Sequence, residues 1–272
     1  MDLFNLKKKK IIITGAAGFL GRQFVEIIFL YKGIPILLDK NKSSLNEFTK
    51  FFKKKYKQEL DAYQIDITDE KKLNKVKDRI ILKYKSIDSL INNAAINPKI
   101  ENGKETFSRL ENFSKLQWQS EVDVSLTGSF LCSKIFGKEI SNNVNGGVII
   151  NISSDLGLIA PNQKIYKIKQ VLESNQPVKP VSYSVCKFGI IGLTKYLSTY
   201  WAHKNVRCNA ICPGGVENNQ EKEFIKKLNK KIPLGRMAKK NEYLSTIIWM
   251  LSDFTSYMNG AVIVVDGGRT SW

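Results

Sequence analysis

Short apolar, β-branched runs alternate along the chain with longer stretches whose apolar positions return every three or four residues. The short runs have the composition of buried strands, and the longer ones have the period of helices that hide one face. Strands separated by helices pair most simply in parallel, because a crossover of that length returns the chain to start the next strand in the same direction. The pattern predicts strands at Ile11–Thr14, Ile34–Leu38, Ala62–Ile65, Ser89–Ile91, Gly147–Ile152, Val206–Ile211 and Ala261–Val265. Seven such strands with helices between them make an α/β unit with a doubly wound parallel sheet, read as a single domain over residues 1–272. One stretch breaks the rhythm. Leu158 to Val181 carries three prolines, four lysines and no clean period, and it is expected to be a long loop, either functional or disordered.

Charge changes this picture little. The chain has a formal net charge of +18, which raises nucleic acid as a partner. The excess is nearly all lysine, and arginine occurs only at Arg22, Arg79, Arg109, Arg207, Arg236 and Arg269. Phosphate-binding surfaces cluster their cations, so a dispersed lysine excess reads as solvated surface and no nucleic-acid partner is expected. Cys132, Cys186, Cys208 and Cys212, with His203 as the single histidine, show no zinc-like spacing and read as buried reduced thiols. No metal is expected. The basic start has too short an apolar run for a signal-peptide core or a membrane span, so the expectation is a cytoplasmic protein.

The first predicted strand runs directly into Thr14, Gly15, Ala16, Ala17, Gly18, Phe19, Leu20 and Gly21, and an apolar periodic segment follows. Three glycines on a strand-to-helix turn let backbone approach a pyrophosphate, whose charge is met by the helix N-terminus. The second strand ends at Asp39, eighteen residues after Gly21. A carboxylate there can accept both ribose hydroxyls and repels a 2′-phosphate, which favours NAD over NADP. Lys40 and Lys42 beside it keep NADP as the alternative.

Tyr183 and Lys187 stand four residues apart at the start of an apolar helix, which puts both on one face, one turn apart. Tyrosine alone is a poor acid–base at neutral pH, with a pKa of about 10. A neighbouring ammonium stabilises the phenolate and is expected to lower that value.

With these signatures the chain resembles the short-chain dehydrogenases/reductases, and further segments carry the likeness in the family's order over nearly the whole length. They are Asn92 to Ala95, Asn151 to Gly157, Asn209 to Gly215, Pro233 to Arg236 and Val265 to Gly268. The resemblance implies a Rossmann-type fold and hydride transfer between a nicotinamide and a secondary alcohol or ketone. It implies that Ser154 hydrogen-bonds the substrate oxygen, with Ser153 turned to the other face of the strand. Tyr183 would move the proton, and Lys187 would hold the nicotinamide ribose. Asp66 and Ile67 would meet the adenine, and Asn93, Ala94 and Ala95 the adenosine side. Pro213, Gly214, Val216 and Asn218 would meet the nicotinamide end, with Lys40 beside the ribose of the adenosine half.

Four departures from the family's shorter branch stand out. The glycine spacing is that of the longer, sugar-nucleotide branch. Ser125 stands where an asparagine usually serves a proton relay, and Asn218 where a threonine is common. Ser154 and Tyr183 are twenty-nine residues apart, and the extra length is the loop from Leu158 to Val181. Similar loops occur in the longer branch, and Lys164, Lys167, Lys169 and Lys179 add cations, so a small, sugar-like substrate is expected. The chain also resembles oxidoreductases of bacterial surface-sugar and flagellin-glycan gene clusters. An epimerase or dehydratase that uses NAD transiently, and a non-catalytic NAD-binding protein, are the alternatives. The resemblance further implies a homo-tetramer or homo-dimer formed by the helix around Thr127–Ile140 and the one beginning near Tyr183. Leu131, Ile135 and Phe136 either join that interface or face the protein's own sheet.

Overall fold

The computed structural model of the protein describes residues 4–97 and 108–272. Its strands are β1 (Lys10–Thr14), β2 (Ile34–Asp39), β3 (Asp61–Gln64), β4 (Ser89–Asn92), β5 (Gly147–Ile152), β6 (Val206–Pro213) and β7 (Val262–Val265). The helices are α1 (Phe19–Leu30), α2 (Lys42–Tyr56), α3 (Glu70–Tyr84), α4 (Lys115–Val122), α5 (Gly128–Ile140), α6 (Val181–Tyr200), α7 (Lys222–Asn229) and α8 (Leu244–Leu251). All strand pairs are parallel, in the order β3-β2-β1-β4-β5-β6-β7. This is the doubly wound, Rossmann-type α/β sheet that the hydrophobic pattern implies, with strand ends moved by a residue or two.

Strand residues alternate between two cores. Ile11, Ile13, Val148 and Ile150 pack with Phe24 and Ile28 of α1, Phe48 and Phe52 of α2, and Ile247 and Leu251 of α8. Their neighbours Ile12 and Ile149 turn to the opposite face, against Leu73 and Ile80 of α3, Phe136 of α5 and Leu197 of α6. Both faces are covered, which is why the strands read as nearly continuous apolar runs. Leu131, Ile135 and Phe136 belong to this second core, so they face the protein's own sheet. The outward apolar positions are Phe130 on α5 and a stripe on α6 at Val185, Phe188, Tyr196 and Tyr200.

Two local features position the site. Asn41, Asp69 and Ser114 cap α2, α3 and α4 by accepting from backbone N–H groups, but α1 starts at Gly18 with no capping side chain and no acid in its first turn. The N–H groups of that end are left for another acceptor. Between α4 and α5 the helix widens into one π-turn over Asp123–Thr127. No helix among the described residues is long and apolar enough to cross a membrane.

Gly21 is required by close approach. A Cβ there would lie 2.2 Å from the Gly15 carbonyl oxygen and 2.8 Å from Ala16 Cα, both backbone atoms. Gly21→Ala is therefore expected to lower stability by about 2–3 kcal/mol, read as a lower Tm. An unchanged Tm would mean that the turn can relax around a methyl group.

Candidate active site

Connections leave β1 and β4 toward opposite faces, and a cleft of about 610 Å³ opens at their carboxyl ends. Its two lips are tied together. The Thr14 hydroxyl accepts from the backbone N–H groups of Asn93 and Ala94, each at 3.0 Å. The Asn93 amide donates to the carbonyls of Thr14 and Gly15 at 2.9 and 3.1 Å. Gly15, Gly18, Phe19 and Leu20 line one lip, and Asn93, Ala94 and Ala95 line the other. Thr14, Ala17 and Gly21 do not reach the cleft; they shape the turn beneath it.

At one end of the cleft, Asp39 is held by two backbone donors, Ala17 N–H to Oδ2 and Asn41 N–H to Oδ1, both at 2.9 Å. Lys40 turns away from Asp39 to pair with Asp66 at 2.7 Å. Burial works against the Asp66 carboxylate, but the Lys40 ammonium and the Thr68 donors hold its pKa down at about 2. Ile65 and Ile67 make the apolar wall beside them. A carboxylate for a ribose, an uncapped helix N-terminus for phosphates and an apolar slot form one continuous path, and this donor set fits a dinucleotide.

At the other end stand Ser154, Tyr183 and Lys187, with Pro213, Gly214, Val216 and Asn218 across from them. Ser154 and Tyr183 lie beside each other in the lining of this end. Ser153 also lines the cleft, but its hydroxyl is engaged in donating to the Lys187 carbonyl at 2.7 Å. Lys187 Nζ donates to the Ile152 carbonyl at 2.8 Å and lies 5.8 Å from the Tyr183 ring centre. Burial pushes Lys187 down to about 8. Burial also pushes Tyr183 up to about 12, opposed by the Ser154 hydroxyl. Burial is thus the largest influence on the Tyr183 phenol, while the Lys187 ammonium is aimed at the Ile152 carbonyl. Ser125 is buried on the π-turn and stays out of the cleft; its hydroxyl accepts from Ile96 N–H at 3.4 Å, and Val124 forms the wall there.

The inserted loop closes over this end. Ile165 and Tyr166 pack with Leu228, Ile232 and Met237 as a small separate core, and the Tyr166 and Phe224 rings lie 5.4 Å apart. Gln176 fastens the loop to itself through Ile168 and Val171. Of its four lysines, Lys164, Lys167 and Lys169 face water, as the chain-wide lysine excess does. Lys179 alone lines the cleft, 3.9 Å from the Tyr183 ring centre and 2.6 Å from Asn97 Oδ1. Sequence reasoning missed Asp155, Gln220 and Arg269 in the lining. An acid beside the serine of the Ser-x-x-Gly pattern, and one of six arginines in a lysine-rich chain, were the available signals.

A family profile described as Enoyl-(Acyl carrier protein) reductase matches residues 28–270. The chain is 29% identical over 270 residues to a 3-oxoacyl-(acyl-carrier-protein) reductase of Thermotoga maritima, covering 97% of this chain and 98% of that protein. It is 30% identical over 263 residues to the post-translational flagellin modification protein A of Campylobacter coli, again covering 97% and 98%. A solved short chain dehydrogenase from Leptospira borgpetersenii with bound NAD+ superposes with a TM-score of 0.84 at 28% identity, over 98% of this chain and 94% of that one.

The buried Lys187 generates a stability test. Its folded pKa of about 8 lies below the unfolded value, so its protonated form is penalised in full below that pH and the penalty fades as pH rises toward the unfolded value. Lys187→Met is expected to stabilise the protein at pH 7 by about 2 kcal/mol after the lost Ile152 hydrogen bond is counted, roughly 5 °C in Tm. The gain should shrink toward zero near pH ~10. A Tm that falls at pH 7 would show that the ammonium is stabilising where it lies.

Proposed function

The chain belongs to the short-chain dehydrogenase/reductase family, and from that membership we propose that it moves a hydride between NAD and a secondary alcohol or ketone of a polyhydroxylated, sugar-like substrate. The observation that carries the proposal is that Ser154, Tyr183 and Lys187 converge on one end of a cleft whose other end is the Asp39 carboxylate. Bound NAD supplies the hydride acceptor, and NADH the donor. In reduction Tyr183 donates its phenolic proton to the carbonyl oxygen, and in oxidation its phenolate takes the proton from the alcohol. The Ser154 hydroxyl orients that oxygen. Lys187 holds the ribose and contributes positive charge beside Tyr183.

The preference for NAD rests on Asp39, whose charge opposes a 2′-phosphate, and on Lys40, which is already paired with Asp66. The sugar-like substrate is supported by the loop's contribution to the cleft, where Tyr166, Lys179 and the neighbouring Asn97 and Gln220 offer a stacking face and several hydrogen-bonding groups. Buried, unpaired thiols suit a cytoplasmic protein. The outward stripe of Val185, Phe188, Tyr196 and Tyr200 supports a symmetric homo-oligomer, a dimer or a tetramer.

The deciding assay is a panel of sugars, sugar phosphates, nucleotide sugars and a 3-oxoacyl thioester, each with NAD and NADH. Net change in NADH absorbance with a hydroxylated substrate is the expected outcome. Turnover of the thioester alone would move the protein to acyl-chain reduction, and product without net NADH change would move it to epimerisation or dehydration. Tyr183→Phe should abolish turnover and leave NADH binding within about threefold, since it removes the proton and keeps the ring. Activity retained in that variant would remove Tyr183 from the mechanism. For cofactor choice, Asp39→Ala should narrow the ratio of NAD to NADP affinities by about tenfold or more, and tighter NADP binding by the unaltered protein would overturn the assignment.

A further inference from the structure

The Ser154 hydroxyl donates to Asp155 Oδ1 at 2.8 Å. Leu156 N–H donates to the same carboxylate oxygen at 2.8 Å and to Ser154 Oγ at 3.2 Å. The other carboxylate oxygen of Asp155 is met by Arg269 Nη1 at 2.5 Å, and the two side chains are only 4% and 7% exposed. Arg269 arrives from the far end of the chain. Gly267 and Gly268 both take positive φ, at 68° and 88°, and turn the backbone after β7. Asp266 accepts from Gly268 and Thr270 N–H and fixes that turn. An ion pair this buried is a weak source of stability, because desolvation offsets most of its attraction. Its place is one residue from the serine that faces Tyr183.

We propose that Asp155 and Arg269 act as a charge-balanced positioning pair for the reacting groups: Asp155 engages the single Ser154 proton and turns the serine oxygen toward Tyr183, while Arg269 cancels the carboxylate's field there. This rests on the reading of Tyr183 as the proton-transferring group. A serine hydroxyl has one proton and two lone pairs. With the proton on Asp155 and one lone pair met by Leu156 N–H, the remaining lone pair of Ser154 is left open in the cleft beside Tyr183, where it can accept from a substrate hydroxyl. An unbalanced carboxylate at this distance opposes the tyrosinate, and an unbalanced guanidinium favours it. Asp155 raises and Arg269 lowers the Tyr183 pKa, in opposition. Among the described residues, the other charged or titratable groups around Tyr183 are Lys179 over its ring, Lys187 one turn along α6, and Cys212 behind Ser153 and Ser154. Glu121 packs from α4 against Ser182. Tyr243 and Cys212 are further groups near Asp155.

The experiment compares Asp155→Asn, Arg269→Gln, Arg269→Lys and the double variant Asp155→Asn with Arg269→Gln. Two readouts are taken. One is the pH profile of kcat/KM for oxidation of the compound found in the substrate panel. The other is the alkaline rise in tyrosinate absorbance without substrate, as the difference between each protein and its Tyr183→Phe counterpart. Asp155→Asn should move the Tyr183 transition down by about one pH unit and Arg269→Gln up by about as much. Arg269→Lys should stay at the wild-type position, and the double variant should return close to it. Singles that move in the same direction, or not at all, overturn the proposal. If Arg269→Gln fails to fold, Asp155→Asn against Arg269→Lys still decides it, because only the former should shift. Activity persisting in Tyr183→Phe would instead refute the underlying reading of Tyr183, which keeps the two failures apart.

Discussion

In a parallel sheet wound in both directions, one pair of neighbouring strands sends its connections to opposite faces, and nothing crosses the gap between them. Here that pair is β1 and β4, and the rest of the site depends on how the gap is held. The Thr14 hydroxyl and the Asn93 side chain bind the two strand ends to each other through backbone groups. Asp39 in turn holds the glycine turn through Ala17 N–H. The lips therefore stay at a fixed separation, and α1 presents its open N-terminus at their middle. Several residues that a motif would mark as binding groups, Thr14, Ala17 and Gly21 among them, act by shaping this gap from beneath.

The reaction end is governed by dryness. Two cations are buried within a few residues of the reactive groups, and the fold treats them differently. Lys187 meets the carbonyl of Ile152, and loss of hydration draws its pKa down. Arg269 meets the carboxylate of Asp155 in a buried ion pair. A lysine can lose its proton and an arginine cannot, so the two positions are not interchangeable chemically. The same dryness raises Tyr183. Charge placement around that ring therefore matters more than the count of positive groups nearby.

The inserted loop shows how surface charge and site charge separate. Its lysines are alike on paper, but Ile165 and Tyr166 turn inward to pack with α7, and Lys164, Lys167 and Lys169 beside them are exposed. Lys179 is drawn in because it immediately precedes Pro180 and the start of α6. The loop is a wall built on a small core of its own.

The seven strands, the order of helices and the glycine turn were legible from period and spacing, because each depends on residues within a few positions of one another. The pairing of Tyr183 with Lys187 was legible for the same reason, as two groups one helical turn apart. Other features had no local trace. Whether Leu131, Ile135 and Phe136 faced the sheet or a partner depended on the rotation of α5 against strands far away in the chain. Ser125 is buried on a π-turn while its neighbour Val124 lines the cleft, and a change of helical pitch leaves no mark in residue spacing. Asp155 and Arg269 are separated by 114 residues and meet only because β7 ends beside β6 and two glycines fold the tail back. The sequence by itself determined the layers, the crevice and which residues stand at its two ends, since these follow from periodic burial and local turns. Tertiary structure alone decided which cations are dry, which carboxylate balances them and where the loop rests, since hydration and long-range pairing exist only once distant segments are packed.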